Sequence, residues 1–399
     1  MKILIFSVAY HPFVGGAEIA VKEITDRIKD VEFHLITVNL DGKQKREEQI
    51  GNVHVYRVGS GVFAAGFLGK LLLPVLGAWK GLALHKKPHE RGFDAVWSIM
   101  ANYAGFAALF FKYLRPSVPF ILTLQEGDPI AYIKRKVWFV YPLFVQIFRR
   151  ADKIQTISNY LADFARDMGA RAPIQVIPNG VDVSLFGREY PVVELEKLKN
   201  ELVKKMGDIQ ASGVPSGAQN PDDVFLVTSS RLVLKNGIAD VIRALPLLPN
   251  HVKFLIIGAG PLEHSLKKLS RDLKVEGRVI FIGFVNHADL PKYLQSSDIF
   301  IRPSLSEGMG NSFLEAMAAG MPVIATPVGG IPDFLTDGET GLFCEVRNPK
   351  SIAESVERLL SDSELRENLI SNAQKLVREK YDWNLVARNM DKMVFFGKV

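Results

Sequence analysis

Residues 253–258, KFLIIG, form an almost uninterrupted apolar run that ends in glycine. Such a run, without polar alternation, is typical of a strand that is covered on both faces of a parallel sheet. Residues 224–229, VFLVTS, carry a similar run one helical stretch earlier. Strands that alternate with helices in this way build βαβ units, so this part of the chain is predicted to be an α/β domain with a doubly wound sheet.

The same alternation fills the first half of the chain, which predicts a second domain of this class. The strands predicted for the first half are Lys2–Ala9, Val31–Val38, Val53–Val58, Asp94–Ile99, Val118–Leu124 and Ile174–Ile177. Those predicted for the second half are Val224–Ser229, Val252–Ile257, Arg278–Ile282, Asp298–Arg302 and Pro322–Thr326. Open α/β sheets bind ligands outside the carboxyl ends of their strands, so two such domains facing each other would hold a ligand in the cleft between them.

A chain of 399 residues exceeds the size at which a single core usually keeps growing. Between the two sets of strands lie a charged helical stretch, Glu194–Met206, and residues 211–221, ASGVPSGAQNP. The second of these is typical of a linker or a surface insertion. We therefore predict one domain over residues 1–185 and another over residues 186–380.

The formal net charge is +6, from 49 basic and 43 acidic residues. This mild excess suits a phosphate-bearing ligand or an anionic membrane surface, and no zinc-finger spacing or RNA-binding signature supports nucleic acid. The single cysteine, Cys344, predicts a reducing compartment, so we expect a cytoplasmic protein. The sequence has no Asp-x-Asp motif, and capture of a divalent metal by carboxylates is therefore not predicted.

Residues 304–322, SLSEGMGNSFLEAMAAGMP, are predicted to be a loop that leads into a helix. The carboxylates of Glu307 and Glu315 are candidates to accept hydrogen bonds from sugar or ribose hydroxyls. Glycines in the loop permit tight turns, and unpaired amides at the start of a helix attract phosphate. The donor-binding candidates in this stretch are Gly308, Met309, Gly310, Asn311, Ser312, Phe313 and Glu315.

One alternative applies to Glu315, which we place on the first turn of that helix. Ser312-x-x-Glu315 is also the pattern of a capping box, in which Glu315 would only close the start of the helix. That alternative explains neither Glu307 nor the paired glycines, so a ligand role is favoured.

A basic loop, residues 228–237 TSSRLVLKNG, follows another predicted strand. Arg231 and Lys235 in this loop are candidates to bind a diphosphate leaving group, because fixed cations stabilise a departing phosphate when no metal is present. The alternative is a solvated basic loop.

Two glycine pairs follow strands as well: Gly15 with Gly16, and Gly258 with Gly260. Glycine at such positions favours an anion or a closely approaching ligand, and the alternative in each case is a tight turn. Neither pair has the Gly-x-Gly-x-x-Gly spacing of dinucleotide-binding proteins, so nicotinamide binding has weak support.

Taken together, the order and spacing of these motifs resemble glycosyltransferase family 4, whose members are retaining enzymes of the GT-B fold with two Rossmann-like domains. The resemblance covers nearly the whole chain, through 15–18 GGAE, 177–182 IPNGVD, 230–235 SRLVLK, 258–262 GAGPL and 307–315. It implies that Arg231 and Lys235 hold the leaving diphosphate, that Glu315 holds the ribose and that Glu307 lies beside the donor sugar. It also implies a closing helix, 381–399, that returns to the first domain, and no cofactor other than the nucleotide sugar.

Two departures from the family pattern concern the catalytic residues. The family commonly has lysine immediately before glycine in the basic loop, whereas this chain reads Lys235-Asn236-Gly237. Many members also carry a histidine after the strand that matches Val118–Leu124, and here the sequence is QEGD over residues 125–128. Glu126 or Asp128 is expected to orient the acceptor or the sugar. The front-face displacement of the family, in which the donor phosphate takes the acceptor proton, needs no protein base.

The resemblance implies a UDP- or GDP-linked sugar as donor, and we expect a lipid-linked or surface glycan intermediate as acceptor. The segment Lys134–Arg150 sets aromatic residues between basic clusters, as helices at an anionic membrane surface do, although a core helix with solvated ends shows the same pattern. Residues 62–84 are apolar, but Lys70, Pro74 and Lys80 interrupt them, so no membrane span is predicted. The rival functions are a sugar-nucleotide epimerase or phosphorylase, and a binding or scaffold protein that keeps the fold.

Overall fold

The computed structural model describes residues 1–13, 15–59, 66–85, 92–209 and 223–396. The chain divides into two compact units, of which the first comprises Met1–Gly180 with Trp383–Val399 and the second Val181–Asp382. The predicted boundary between residues 185 and 186 thus falls just inside the second unit. The predicted linker, residues 211–221, lies outside the described residues.

The first unit is built on an eight-stranded sheet with the spatial order β3-β4-β2-β1-β5-β6-β7-β8. Its strands are β1 (Lys2–Phe6), β2 (Glu32–Val38), β3 (Glu47–Ile50), β4 (Val53–Val58), β5 (Ala95–Ile99), β6 (Phe120–Leu124), β7 (Lys153–Thr156) and β8 (Ile174–Val176). Its pairings are parallel except that between β3 and β4. The helices between these strands are α1 (Gly16–Arg27), α2 (Gly66–His85), α3 (Tyr103–Leu114), α4 (Ile130–Lys136), α5 (Tyr141–Arg150) and α6 (Asn159–Asp167).

The second unit has an all-parallel sheet of six strands in the order β11-β10-β9-β12-β13-β14. The strands are β9 (Val224–Ser229), β10 (Val252–Ile257), β11 (Val279–Gly283), β12 (Ile299–Arg302), β13 (Val323–Ala325) and β14 (Leu342–Phe343). The helices are α7 (Val183–Phe186), α8 (Val192–Ile209), α9 (Ile238–Ala244), α10 (Glu263–Asp272), α11 (Leu290–Gln295), α12 (Asn311–Ala318), α13 (Pro349–Ser361) and α14 (Ser363–Lys380). Short 3₁₀ turns occur at Trp138–Val140, Leu234–Asn236, Leu245–Leu247, Glu276–Arg278 and Ile331–Asp333.

The closing segment belongs to the first unit, where it forms α15 (Trp383–Asn389) and a π-helical turn (Met390–Phe395). Trp383 and Val386 are buried in the same apolar cluster as the α1 face and β1. The ring of Phe395 lies edge-on to that of Trp97, with 5.1 Å between the ring centres. Burial of these large side chains is the main force that holds the segment on the unit.

All the predicted strands occur, with ends shifted by three residues at most, but β3, β7 and β14 were not predicted. β7 lies next to the edge strand β8 and contains polar residues, KIQT, and it is nonetheless fully buried. Its polar groups are satisfied by distant partners, since Lys153 Nζ donates to the carbonyl of Val394 at 2.9 Å and Gln155 Nε2 to that of Ile177 at 2.5 Å. The two-residue β14 and the charged edge strand β3 carry too little apolar pattern to be recognised.

Each sheet reverses its strand order at one point, between β1 and β5 in the first unit and between β9 and β12 in the second. Loops at the carboxyl ends of the strands beside such a switch point are the usual ligand-binding positions of open α/β sheets. Within the described ranges, no helix has the length and apolarity required to cross a membrane.

Candidate functional site

In the second unit, two loops lie on either side of the switch point: residues 230–237 after β9 and residues 303–310 after β12. The amide of Leu305 donates to the carbonyl of Lys235 at 2.6 Å. Gly237 has a φ of +68°, and a Cβ atom there would lie 1.9 Å from the carbonyl oxygen of Pro303, so only glycine fits. The two loops therefore form one joined surface.

Arg231 has a fixed backbone and an exposed side chain. Its carbonyl accepts hydrogen bonds from Asn236 Nδ2 at 2.6 Å and from the amide of Val233 at 2.9 Å. Lys235 lies in the short 3₁₀ turn that follows and is half-buried. A rigid loop that carries two cations is suited to bind a diphosphate, because little conformational entropy is lost when the anion binds.

Gly258 and Gly260 pack against the basic loop. A Cβ atom on Gly258, whose φ is +127°, would lie 2.0 Å from the carbonyl oxygen of Ser230, and one on Gly260 would lie 2.5 Å from that of Leu232. Hydrogen bonds join the same segments; for example, the amide of Leu232 donates to the carbonyl of Ala259 at 3.1 Å. This close backbone contact alone requires both glycines, so the geometry gives them a supporting role beneath Arg231.

Glu307 is oriented by a residue that the sequence analysis missed. Arg302, at the end of β12, donates from Nη2 to Glu307 Oε2 at 3.0 Å and from Nη1 to Ser312 Oγ at 2.7 Å. Its guanidinium lies over the ring of Phe313, 4.3 Å from the ring centre. The sequence does contain a signal, because an arginine ends an otherwise apolar buried strand, and such a charge is rarely buried unless paired.

Arg302 is buried, and burial lowers the pKa of its guanidinium, while Glu307 and Glu315 act in the opposite direction. Its Nε is buried and has no hydrogen-bond partner among the described residues. The loop backbone is fixed beside this pair, as the carbonyl of Glu307 accepts from the amide of Gly330 at 3.2 Å. Arg302 thus holds the Glu307 carboxylate and the first turn of α12 in a fixed position relative to each other.

The start of α12 contradicts the capping-box alternative. The N-cap residue is Gly310, with a φ of +94° and no side-chain cap, and the helix begins at Asn311. Ser312 and Glu315 are therefore the second and fifth helical residues, and Ser312 Oγ accepts from Arg302. Our placement of Glu315 on the first turn was wrong, because the left-handed glycine lets the helix begin before Ser312.

The other predicted residues of this stretch surround the helix start. Gly308 and Met309 are buried in the loop, and the amide of Phe313 is already used by the carbonyl of Gly310 at 3.1 Å. The Phe313 amide is therefore not available to bind a phosphate.

Glu315 is buried and is paired with a second residue that the sequence analysis missed. His287 Nε2 lies 3.0 Å from Glu315 Oε1, and the imidazole packs edge-on to the ring of Phe186 at 5.0 Å. His287 stands in the loop between β11 and α11, whose sequence alone does not show that it reaches α12. The pairing holds the carboxylate in one orientation, which suits a group that binds ribose hydroxyls.

In the first unit, Gly15 and Gly16 stand at the start of α1 and are exposed. The amide of Gly15 donates to Glu18 Oε2 at 2.8 Å, so the Glu18 side chain caps the start of the helix. The exposed glycines leave this turn open to a ligand, but their φ angles do not require glycine.

Glu126 follows β6 and is turned into the protein. Its Oε1 accepts from the amide of Ala101 at 2.7 Å, next to Met100, whose φ is +69°. Its Oε2 is buried and lacks a hydrogen-bond partner among the residues described. Burial raises the pKa of the Glu126 carboxyl to about 7, and the charge of nearby Asp128 adds to this rise.

The neighbours of Glu126 differ from it in exposure. Asp128 is exposed, whereas Gln125 is buried and accepts from Asn179 Nδ2 at 3.2 Å. The structure thus distinguishes two carboxylates that the sequence left equivalent: Glu126 is half-buried with an enclosed Oε2, and Asp128 is a surface group.

A cavity of about 470 Å³ in the second unit lies away from these residues. It opens at the amino ends of β12 and β13, beside Asp298 and Pro322, and also meets Arg366 of α14. The predicted site residues stand at the carboxyl ends of the strands, so this cavity has no part in the site described above.

Two family models match the chain. Residues 14–185 match the model described as Glycosyltransferase Family 4, and residues 214–376 match that described as Glycosyl transferases group 1. The uncharacterized glycosyltransferase MJ1607 of Methanocaldococcus jannaschii is 40% identical over 42% of this chain and 43% of its own length. A GDP-mannose-dependent alpha-(1-6)-phosphatidylinositol monomannoside mannosyltransferase of Mycobacterium tuberculosis is 30% identical over 63% of this chain and 65% of its own length.

Among solved structures, HepE of Anabaena in complex with UDP and glucose has a TM-score of 0.78 to this chain. The sequence identity is 20%, and the match covers 99% of this chain and all of the Anabaena protein. A likeness at that identity establishes the fold.

Proposed function

Because this chain belongs to glycosyltransferase family 4 and has the two-domain GT-B fold, we propose that it is a retaining, metal-independent transferase. It moves a sugar from a nucleoside diphosphate carrier to a lipid-linked or surface glycan intermediate. The observation that carries the proposal is the joined pair of loops in the second unit, which fixes the Arg231 loop against the Glu307 loop. A scaffold protein has no need of cations and carboxylates held in this way.

The leaving group is the nucleoside diphosphate. In the proposed step the bond from the anomeric carbon to the phosphate oxygen breaks, and the acceptor oxygen bonds to that carbon on the same face. The acceptor proton passes to the departing phosphate oxygen. Arg231 and Lys235 stabilise the negative charge that develops there, and fixed cations of this kind replace a metal ion.

The carboxylates of the second unit act on the donor. Glu315, oriented by His287, accepts hydrogen bonds from the ribose hydroxyls, and Glu307, oriented by Arg302, does so from the sugar. The residues around Glu307 and the helix start, Gly308 to Phe313, supply the backbone that approaches the phosphates. Gly15 and Gly16 of the first unit offer a further open turn to the donor.

Glu126 is the carboxylate of the first unit that we propose acts on the acceptor or the sugar. Its buried, unpartnered Oε2 is a strong reason for a ligand contact, because a buried polar atom left without a partner costs about 1–3 kcal/mol. Asp128, at the surface beside it, is proposed to guide the acceptor.

The nucleotide is proposed to be UDP or GDP. The Mycobacterium relative is named for GDP-mannose, and the Anabaena structure contains UDP. A lipid-linked acceptor is favoured because that relative is named for a phosphatidylinositol mannoside, and a similar protein of Rhizobium meliloti for lipopolysaccharide core biosynthesis. The proposed place of action is the cytoplasmic face of a membrane.

The test is release of UDP or GDP from common sugar nucleotides, with and without membrane lipid extract, in the presence of EDTA. Transfer to a lipid should accelerate release, and proton NMR of the purified glycolipid should show the same anomeric configuration as the donor. Arg231→Ala should lower the rate by about 10²–10³-fold, as loss of one stabilising group for a developing charge typically does.

Lys350→Ala is the matched control, because Lys350 is an exposed lysine on α13 of the same unit. Its rate should equal that of the unmodified chain. Inversion of the anomeric configuration would refute the retaining mechanism, and an Asp128→Asn variant with an unaltered rate on the true acceptor would remove Asp128 from the account. Absence of release from every donor would favour a binding protein with this fold.

A further inference from the structure

The outer face of α2 is apolar and open to solvent. Leu68, Leu71, Leu72, Val75 and Trp79 recur at helical spacing and are all exposed, Val75 by 62% and Trp79 by 69%. They form a stripe about 17 Å long, since a helix rises about 1.5 Å per residue. An exposed apolar stripe of this length marks an interaction surface more often than a chance arrangement does.

The opposite face of the same helix already supplies its contribution to the core. Leu73 is fully buried, and Gly77 and Gly81 allow the helix to lie close to Phe6 and Ala107. Folding of the described part of the first unit therefore leaves the apolar stripe open to solvent.

The helices beside α2 carry one sign of charge. α2 packs on α3, and α3 packs on α5, so these helices form one layer, with α4 leading into α5. The segments α2, α3, α4, Trp138–Val140 and α5 contain eight basic residues and no aspartate or glutamate. Two of the basic residues, Lys80 and Lys112, pair with acids on neighbouring elements.

A second exposed apolar group directly precedes α5. Trp138 is exposed by 74% and Phe139 by 67%, directly after the basic end of α4 at residues 134–136. The guanidinium of Arg135 lies over the ring of Tyr132 at 5.7 Å. The segment Lys134–Arg150 thus divides into two parts: an exposed aromatic and basic turn, and α5, whose Phe144, Ile147 and Phe148 are core residues.

Both apolar groups lie towards the same edge of the sheet. α2 follows β4 and the Trp138 turn follows β6, so each begins at the carboxyl edge of the parallel strands. Glu126 and Asp128 stand at that edge too, immediately before α4. A surface that binds this layer would therefore lie close to the residues proposed to act on the acceptor.

We propose that this helix layer docks on an anionic lipid bilayer, with the α2 stripe and the Trp138 turn inserted at the level of the headgroups. Exposed apolar and aromatic side chains on helices whose charged residues are all basic are complementary to such a surface. A second copy of the chain fits less well, because a two-fold contact would set the cations of one copy against those of the other. The inference rests on the proposed lipid-linked acceptor and identifies the surface that reaches it.

Flotation of the full chain with vesicles tests the inference. Phosphatidylcholine vesicles with added phosphatidylglycerol should bind the chain at low salt, and neutral vesicles should bind it at least about tenfold more weakly. The variant Val75→Glu/Trp79→Glu should lose at least about tenfold in binding to anionic vesicles, because it puts negative charges where the proposed apolar contacts with lipid lie. Leu247→Glu, at an exposed leucine of the second unit, is the matched control and should bind as the unmodified chain does.

Fluorescence quenching by lipids brominated in their acyl chains gives an independent readout. Trp97 and Trp383 are buried, so quenching should come from Trp79 and Trp138 and should disappear in Trp79→Phe/Trp138→Phe. Equal vesicle binding by Val75→Glu/Trp79→Glu and the unmodified chain would overturn the inference. So would a concentration-dependent dimer that this variant abolishes, in a chain that does not bind vesicles.

Stabilisation by UDP or GDP, measured on the same variants without lipid, separates this inference from the proposed function. If vesicle binding fails while a nucleotide still stabilises the chain, only the docking surface is refuted. If vesicles bind and no nucleotide does, the docking surface stands and the transferase assignment fails.

Discussion

Glu126→Gln should change the pH dependence of stability of the first unit. A folded-state pKa of about 7 instead of the ordinary 4.5 corresponds to about 3 kcal/mol, since each pKa unit is worth about 1.4 kcal/mol. Below about pH 4.5 both the folded and the unfolded chain hold the proton, so the stability contributed by this group is fully present. Between about pH 4.5 and 7 the unfolded chain ionises first, and that stability is lost as the pH rises.

The assay is urea unfolding followed by tryptophan fluorescence. All four tryptophans of the chain, Trp79, Trp97, Trp138 and Trp383, lie in the first unit, so the signal reports on that unit alone. Between pH 5 and pH 8 the free energy of unfolding of the unmodified chain should fall relative to that of Glu126→Gln by about 2–3 kcal/mol. Other titrating groups are common to both proteins and cancel in the difference.

Asp128→Asn serves as the control for this experiment. The charge of Asp128 raises the pKa of Glu126, so its removal should move the window of lost stability to lower pH without abolishing it. A difference between the unmodified chain and Glu126→Gln that is independent of pH would refute the reasoning, because it would mean that Glu126 titrates as an exposed carboxylate does.

Further outcomes concern the second unit. Gly258→Ala should destabilise the second unit by about 3 kcal/mol or more, because its Cβ atom would clash with the basic loop. Gly283→Ala, at positive φ with open space around it, should cost about 1 kcal/mol. Calorimetry of the two variants measures the difference, and equal effects would contradict the packing role of Gly258. Arg302→Met should destabilise the unit by about 1–3 kcal/mol in the same measurement, because the half-buried Glu307 carboxylate loses its cation and keeps only the amide of Gly308 as a partner among the described residues. His287→Ala should raise the KM for the donor by about tenfold and leave kcat nearly unchanged, since it removes only the group that orients Glu315; an unchanged KM would contradict that role.

Much of the fold could be predicted because its strands are short apolar runs at regular spacing, as in β9 and β10. β7 could not, because its lysine and glutamine are buried by partners that are distant in sequence, among them the carbonyl of Val394. A local sequence pattern does not identify partners that are distant in the chain.

The candidate site shows the same limit. The loops, the cations and Glu307 were accessible to motif reasoning because each follows a strand, and Glu315 was accessible because it lies in the helix after the Glu307 loop. The partners that orient them, Arg302 and His287, become visible only when β12, α12 and the loop after β11 are brought together. Glu315 was misplaced on the first turn, because Gly310 at positive φ lets the helix begin at Asn311 and makes Glu315 its fifth residue.

Thermal unfolding with UDP, GDP and ADP in the presence of EDTA tests the central claim most directly. At a concentration about 100 times its Kd, one of the first two should stabilise the chain by about 2.7 kcal/mol. This stabilisation should weaken in Glu315→Ala and persist in Glu357→Ala, which alters an exposed glutamate of α13. Stabilisation that requires a metal ion, or that is the same in both variants, would contradict the account of the donor site.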